Sequence, residues 1–233
     1  GEGWKYEYDE LNHVQTAENT SNPGDTQTFD YDAGDRINSN SRVGTYSYPL
    51  PGQPRPHAPA YVAGSLYTYD FNGNLEVGGG RAPVWNADNL IDQVGTTTQF
   101  SYDGRGERVK KTNGSTTSLY PFGDDYEVTN GVTTKYISVE GLGVVAKKVT
   151  GGSNPGTFWL HTDRLGSIDA VTKFDGSIAF QRIYRPYGET LTQSGSHTES
   201  RGWIDQRNDT ETGLTYLHAR YFDPKLGVFL SPD

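Results

Sequence analysis

The sequence of 233 residues contains no cysteine and no methionine. Without cysteine, neither disulfide bonds nor Cys-ligated metal can stabilise the fold, so stability must come from packing and from hydrogen bonds between strands. No stretch is apolar enough to cross a bilayer. The formal net charge of −9 disfavours nucleic-acid binding, because an acidic chain gains nothing from phosphate contacts. The lack of methionine and the start at Gly1 predict an internal part of a longer protein.

Aliphatic residues are also scarce, whereas aromatic residues are plentiful. Hydrophobic residues make up 33% of the chain and aromatic residues 12%, led by 16 Tyr. This composition is typical of pleated sheets, in which rings pack across strands, and it disfavours disorder. The 29 Gly and 12 Pro predict many tight turns and few long helices. We therefore expect an all-β fold.

An irregular repeat supports this expectation. A tyrosine followed by an aspartate (YD) recurs at about twenty-residue spacing, each time at the end of an alternating aromatic and polar segment. In each unit we expect the rings on one strand face, an Asx turn at the Asp, a following Gly with positive φ, and an aliphatic residue that starts the returning strand. The repeat residues are Tyr8, Asp9, Tyr31, Asp32, Tyr69, Asp70, Tyr102 and Asp103, with a weaker copy at 84–88.

The motif pattern divides the chain into two regions. We predict YD-type repeats over residues 1–156, interrupted at 49–60 by a loop whose five Pro residues cannot join a ladder. Residues 150–156 predict a hairpin loop or short linker. Residues 157–233 leave the repeat pattern, and we predict that they form a core region that plugs or caps one end of the repeats.

Four longer motifs carry a resemblance to a known family. They occupy 102–111, 159–167, 184–189 and 213–233, and their order resembles YD repeats of rearrangement hotspot (RHS) proteins followed by the RHS repeat-associated core. The residues that match the family's core motifs are His161, Asp163, Gly166, Tyr187, Gly188, Arg220, Tyr221, Asp223, Pro224 and Gly227.

The resemblance implies a fold, a cargo and a location. RHS and YD-repeat proteins build β-strips of short antiparallel hairpins that coil into a spiral shell or open barrel. In toxin-delivering members the shell encloses a C-terminal toxin, so the implied partners are the protein's own toxin or cargo, or identical subunits. The family also implies a secreted or cell-surface protein of bacterial or archaeal origin.

The family's chemistry is an aspartyl autoprotease that follows the core signature. Asp233 matches the Asp that opens its first segment and is the single catalytic candidate, in a longer chain. Val228 stands where the family usually has Arg. We therefore expect no autocleavage by this chain as written and no enzyme activity.

Other combinations of polar residues favour structural roles. Asp124 and Asp125 could share a proton, but they follow Gly123 in an expected loop. His161 and Asp163 could form an acid–base or metal pair, but a His that holds the following turn explains the spacing better.

The turns after Asp70 and Asp103 offer oxygens to Ca²⁺, yet neither continues to a distal Glu, so Asx turns explain them better. We predict no metal and no cofactor. Arg207 and Arg220 lie among aromatic residues and are expected to be buried and paired, with three carboxylates available, at Glu189, Asp205 and Asp223.

The leading functional prediction is a structural shell or a surface filament segment that encapsulates cargo or self-assembles through sheet edges and aromatic faces. Two alternatives stay open. One is a carbohydrate-binding or adhesion module, in which exposed Tyr and Trp stack on surface glycans. The other is the autoprocessing core of a polymorphic toxin, with the cleavage segment missing.

Overall fold

A computed structural model describes residues 3–233, and these residues are built almost entirely from short antiparallel strands. No α-helix occurs between residues 3 and 233, and three single-turn 3₁₀ helices lie at Pro23–Asp25, Gly123–Asp125 and Trp203–Asp205. None of the helices in this range is long and apolar enough to cross a membrane. The predicted all-β class is confirmed.

The first of two compact units contains the described residues up to Ala82, together with Lys225–Gly227 and Pro232–Asp233. Seven strands form a sheet in chain order, and a separate hairpin follows. The Pro-rich loop at 49–60 contains no strand. The strands are β1 (Trp4–Tyr8), β2 (Val14–Asn19), β3 (Gln27–Tyr31), β4 (Ile37–Asn40), β5 (Gly44–Ser47), β6 (Tyr61–Val62) and β7 (Ser65–Leu66), and the hairpin pairs β8 (Thr68–Tyr69) with β9 (Leu75–Val77).

The second unit, Pro83–Pro224 with Val228–Ser231, contains a strip of twelve strands and a sheet of four. The strip comprises β10 (Val84–Trp85), β11 (Ile91–Val94), β12 (Thr98–Tyr102), β13 (Arg108–Asn113), β14 (Thr116–Leu119), β15 (Tyr126–Thr129), β16 (Val132–Val139), β17 (Gly143–Thr150), β18 (Gly156–Thr162), β19 (Ile168–Thr172), β20 (Ile178–Tyr184) and β21 (Thr190–Gly195). The four-stranded sheet comprises β22 (Arg207–Asp209), β23 (Leu214–Leu217), β24 (Arg220–Asp223) and β25 (Val228–Phe229).

The strands of the strip pair without interruption through residue 156, since β17 and β18 form a hairpin across the Gly- and Pro-containing loop between them. The division into repeats at 1–156 and a core at 157–233 concerns sequence motifs and stays a prediction.

Strand alternation gives the strip two different faces. The core face carries the apolar cluster of the unit, in which Phe180, Ile168 and Val171 are fully buried. Successive residues point to opposite sides, so the residues between them form an open face that looks away from this cluster. The four-stranded sheet contributes buried Tyr216, Tyr221 and Phe222 to the interior of the same unit.

In the first unit three aromatic residues, Phe29, Tyr46 and Tyr67, are buried in the core beside aliphatic residues. Leu226, from the short segment 225–227, is buried with them, and its carbonyl accepts a hydrogen bond from the Tyr46 hydroxyl at 2.8 Å. The ring of Tyr67 lies on Gly78, where an added Cβ would be only 2.2 Å from a ring carbon. Aromatic packing therefore requires glycine at this position.

Candidate functional site

The aspartate of each YD pair closes the turn that follows it. The Asp9 carboxylate accepts hydrogen bonds from the backbone N–H groups of Leu11 and His13, at 2.9 and 2.8 Å. Because the same carboxylate oxygen holds two successive amides, the turn is fixed by the Asp side chain. Equivalent turns follow Asp32, Asp103 and Asp163, and Asn86 takes the place of Asp in the weaker copy.

Tyrosines near the ends of repeat strands bind the preceding unit through the hydroxyl group. In four cases the hydroxyl donates to a backbone carbonyl that lies five residues after the turn-forming Asp or Asn of the previous unit. Burial raises the pKa of Tyr48 and of Tyr184 to about 12, which keeps these hydroxyls protonated as donors. The donor–acceptor pairs are Tyr31 to Val14 (3.1 Å), Tyr48 to Ile37 (2.9 Å), Tyr102 to Ile91 (2.7 Å) and Tyr184 to Ile168 (2.8 Å).

Two repeat tyrosines differ from this pattern. Tyr69 donates to the carbonyl of Pro59, at 2.9 Å, so the Pro-rich loop supplies its acceptor. Tyr8 is half exposed, with 51% of its surface accessible.

The core motifs meet at the 3₁₀ turn Trp203–Asp205. Ile168 donates its N–H to the Gly202 carbonyl at 3.0 Å, and the Ser167 hydroxyl accepts the N–H of Ile204 at 3.1 Å. Gly188 lies against the Trp203 ring, where a Cβ would be 2.3 Å from a ring carbon. His161 is exposed and contacts Thr172 at 2.9 Å, while Asp163 forms the turn. The structure thus places these two residues in separate structural contacts.

A buried ionic network connects the four-stranded sheet to the strip. Arg108 on β13 and Asp209 on β22 both have side chains only 1% exposed, and their charged atoms are 2.5 Å apart. Lys111 also binds Asp209, at 2.9 Å, and extends to Glu211 at 2.8 Å. The Arg108 guanidinium is surrounded by three rings, at 4.3 Å from the ring centre of Tyr216 and 5.2 Å from those of Phe100 and Tyr120.

The opposite charges in this network keep one another ionised although they are buried. Burial would raise the pKa of Asp209, but Arg108 and Lys111 lower it below its ordinary value. Burial would lower the pKa of Arg108, but Asp209 raises it overall. The pair therefore stays ionised, and removing one partner would leave the other charge buried alone.

Arg207 forms a second connection between the same elements. Its guanidinium binds Asp124 at 3.0 Å and Glu127 at 2.7 Å, and it lies 4.2 Å from the Tyr120 ring centre. The prediction that Arg207 is buried and paired is confirmed, and its partners are two other carboxylates than the three available candidates named from the sequence. Asp205 instead binds Arg201, at 2.7 Å.

Arg220 is less buried than the sequence predicted. The residue is only partly buried, and its guanidinium lies 3.7 Å from the centre of the Phe229 ring. Because Arg220 is the first residue of β24, it lies at the end of the strand, where its side chain stays partly accessible. Asp223, at the other end of the same strand, is fully buried.

A third connection holds the segment between β21 and β22. Glu199 is buried, binds Lys147 at 2.8 Å and accepts the Tyr136 hydroxyl at 2.8 Å. Arg182 donates to the Glu199 carbonyl at 2.9 Å. Charged and polar groups from β16, β17 and β20 therefore hold this segment along the core face of the strip.

At the edge of the network, His218 lies between two carboxylates, 2.9 Å from Glu107 and 3.1 Å from Asp124. The hydrogen bond to Asp124 is the main reason why the pKa of His218 rises to about 9. His218 is therefore a cation at neutral pH.

These contacts give the network a structural role. Asp124, for which the sequence favoured a structural role over proton sharing with Asp125, binds Arg207 and His218 and is a salt-bridge partner. No group of three or more metal-ligating side chains is assembled within residues 3–233. Sequence inspection missed Arg108, Lys147 and Glu199. For Arg108 and Lys147, which lie on strands, the available signal was a charged residue at a strand position that faces the core.

Comparison with known proteins supports the same structural interpretation. Residues 150–233 match the family model described as Teneurin YD-shell. The chain is 31% identical to the tRNA nuclease WapA of Bacillus subtilis (strain 168) over 71% of its length, and 23% identical to teneurin-1 of Gallus gallus over 99%. It is also 23% identical, over 98% of its length, to the double-stranded DNA deaminase toxin A of Burkholderia cenocepacia (strain H111).

Among solved structures, 99% of the chain superposes on TcdB2-TccC3-TEV with a TM-score of 0.64 and 17% identity. The chain spans 8% of the WapA and teneurin-1 sequences, 15% of the deaminase toxin and 16% of the superposed chain. The repeated Tyr and Asp contacts, the strip of antiparallel hairpins and these matches lead to one conclusion. The chain belongs to the RHS/YD-repeat proteins and has the fold of their structural shell.

Proposed function

We propose that this chain is part of the wall of a hollow protein shell that encloses a cargo, and that the parent protein is secreted or extracellular. The observation that carries the proposal is the uninterrupted twelve-stranded strip, with a second sheet held along its core face by buried ion pairs. Such a strip forms a continuous barrier, because every strand from β11 to β20 is paired on both edges.

The relatives suggest the class of cargo. WapA is named as a nuclease and the Burkholderia cenocepacia relative as a deaminase toxin, and this chain corresponds to a small part of each. We propose that any enzyme activity of the parent belongs to an enclosed toxin, whereas the chain itself is not a catalyst. The division into repeats at 1–156 and a core at 157–233 belongs to the same proposal.

The contacts support neither the carbohydrate-binding alternative nor the autoprotease alternative. The Tyr48, Tyr102 and Tyr184 hydroxyls bind backbone carbonyls, which favours a role in the wall over glycan stacking. For the autoprotease alternative, the candidate Asp233 needs neighbouring groups that the family places after the core signature.

Protease protection tests the proposal. The native parent protein is incubated with proteinase K, and the part of the parent that carries toxin activity should resist digestion until the shell is denatured. In a parent with Asp209→Asn, which breaks the buried pair with Arg108, the same part should be digested under native conditions. Glu211→Gln is the matched control, since Glu211 binds the same Lys111 nearer the surface. Immediate digestion of the toxin part in the wild-type parent would contradict enclosure.

A further inference from the structure

The open face of the strip carries a row of mostly apolar residues outside the core cluster. Strand register places Ile137, Ala146, Trp159, Thr172 and Ile178 side by side on β16 to β20. Trp159 is 44% exposed, and the two Ile residues at the ends of the row are more exposed than that. With strands about 4.8 Å apart, the row extends for about 19 Å.

A basic pair runs beside this row. Lys135 and Lys148 are exposed and lie directly opposite each other on β16 and β17. Directly opposed like charges destabilise a sheet, so their presence needs another explanation. Lys135 lies 5.5 Å from the ring centre of Tyr126, and no ion pair links either lysine to a carboxylate between residues 3 and 233.

The strands nearest the pair carry a single acidic residue. Across β15 to β18 the single carboxylate is Glu127, which points to the core face and binds Arg207. On β15 to β18 the open face therefore carries basic and apolar strand residues and no acidic one, although the whole chain carries a formal charge of −9. Local charge opposite to that of the whole molecule indicates a surface that attracts an acidic partner.

The geometry favours a protein partner. The exposed apolar side chains form a row across paired strands, which suits the apolar centre of a protein interface, where Trp commonly contributes a large share of the binding energy. Two lysines neutralise few phosphates, and each contributes only about 1 kcal/mol at an anionic membrane surface. Nucleic acid and lipid are therefore less well matched to this surface.

We propose that this surface, the Trp159 patch (Lys135, Ile137, Lys148, Trp159 and Ile178), binds an extended protein segment with apolar residues along its centre and Asp or Glu along one flank. The apolar side chains cover Trp159 and the two Ile residues, and the carboxylates pair with the two lysines. This interaction is additional to the enclosure of cargo, because the patch lies on the face opposite to the core cluster.

Peptide selection tests the proposal even though the partner is unidentified. Phage-displayed random peptides are selected on the whole chain, and representative sequences are synthesised and titrated by calorimetry. Selected peptides should combine aromatic or aliphatic residues with Asp or Glu. Their affinity should fall about tenfold or more with Trp159→Thr and with the double change Lys135→Glu and Lys148→Glu, as for an interface anchor and its charge partners.

Matched controls come from the same face outside the patch. Lys110 and Leu119 are opposite each other on β13 and β14, both exposed, and Leu119→Thr and Lys110→Glu should leave peptide affinity within about twofold. Circular dichroism and thermal unfolding of all four variants confirm that the strip is folded.

Several outcomes would overturn the proposal. These are selection of no peptide, peptides without acidic residues, or affinity that the patch variants leave unchanged. Binding of phosphatidylserine vesicles or a single-stranded oligonucleotide in place of peptides, with loss in the patch variants, would assign the patch to those ligands. Dimerisation in analytical ultracentrifugation that Trp159→Thr abolishes would assign it to a second copy.

Discussion

At the scale of single residues, the two members of each YD pair act on different parts of the backbone. The carboxylate of Asp103 binds amides of its own turn, whereas the hydroxyl of Tyr102 binds a carbonyl of the previous unit. One residue therefore shapes a hairpin and the other joins that hairpin to its neighbour. Loss of the carboxylate or of the hydroxyl leaves backbone groups without their hydrogen-bond partner, which lowers the free energy of unfolding.

Tyr31→Phe tests the role of the hydroxyl. Removing its bond to the Val14 carbonyl should lower the free energy of unfolding by about 1 kcal/mol. Tyr8→Phe is the control, because Tyr8 occupies the same repeat position and is half exposed, and it should change stability by only a few tenths of a kcal/mol. Urea unfolding followed by circular dichroism measures both. Equal effects would show that ring packing alone matters.

His218 should make stability depend on alkaline pH. Its pKa in the folded protein, about 9, lies above the ordinary value of 6.5, mainly because of the hydrogen bond to Asp124. The protonated form therefore contributes stability that is fully present below pH 6.5 and is lost as the pH rises through 9. Since the side chain is 43% exposed, we expect only about 1 kcal/mol after solvent screening.

Thermal unfolding of wild type and His218→Asn across this pH range checks the prediction. Asn tolerates the positive φ of 59° at this position. The stability difference between the two proteins should shrink as the pH rises from about 6.5 to about 10. A difference that is constant over the range would show that the ion pairs of His218 do not contribute.

At the scale of elements, each YD strand changes register immediately before its tyrosine. Tyr8, Tyr31, Tyr69 and Tyr102 each follow a shift in pairing, so two residues oppose one at that point. Such bulges increase local twist and redirect side chains. In all four cases the extra residue lies on the strand that follows the YD turn, so the bulge belongs to the hairpin that the turn closes.

Turn glycines are required for two separable reasons, backbone conformation and close contact. Gly166 and Gly188 occupy the same turn position, with φ of 85° and 88°. An added Cβ meets nothing within 4 Å at Gly166 but meets the Trp203 ring at Gly188. Gly166→Ala should therefore cost about 1 kcal/mol from backbone strain alone.

Gly188→Ala should cost about 3 kcal/mol or more, because the Trp203 ring must also move. Chemical denaturation gives the two stabilities, and the fluorescence of Trp203 reports the displacement. Similar losses in the two variants would contradict close packing at Gly188.

The ionic network gives the largest expected effect at this scale. Asp209→Asn leaves the Arg108 charge buried without a counterion and should destabilise the second unit by about 3–5 kcal/mol. Glu211→Gln removes a partly exposed contact of Lys111 and should cost less than about 1 kcal/mol. Thermal unfolding and limited proteolysis of the four-stranded sheet compare the two. Equal resistance of that sheet in the two variants would show that the Arg108–Asp209 pair does not hold it.

Local features were predictable from the sequence, and long-range pairing was not. In the Asp70 and Asp103 turns, each carboxylate bonds a backbone amide four positions further along the chain, so residue type and spacing were sufficient to predict the turns. The bond between Arg108 and Asp209 joins residues 101 positions apart. Nothing local selects Asp209 over other carboxylates, since the choice depends on which strands the folded sheet brings together. For the same reason the sequence could not assign the partners of Arg207, which are Asp124 and Glu127.

At the scale of the whole molecule, we assign different tasks to the two faces of the strip. The core face holds apolar residues and the charges that bind the four-stranded sheet, which fits a wall with an internal lining. The open face carries the Trp159 patch, which fits contact with a partner outside the wall. Family membership is shown by the comparisons, whereas the enclosed cargo is a proposal about the longer parent.

Electron cryomicroscopy of the native parent protein tests enclosure by the shell most directly. We predict a closed wall in which the strip of β10 to β21 forms one section, with the four-stranded sheet on the cavity side, the Trp159 patch outside and additional density within. A map without a cavity, or one in which the four-stranded sheet faces bulk solvent and the toxin part lies outside, would contradict enclosure.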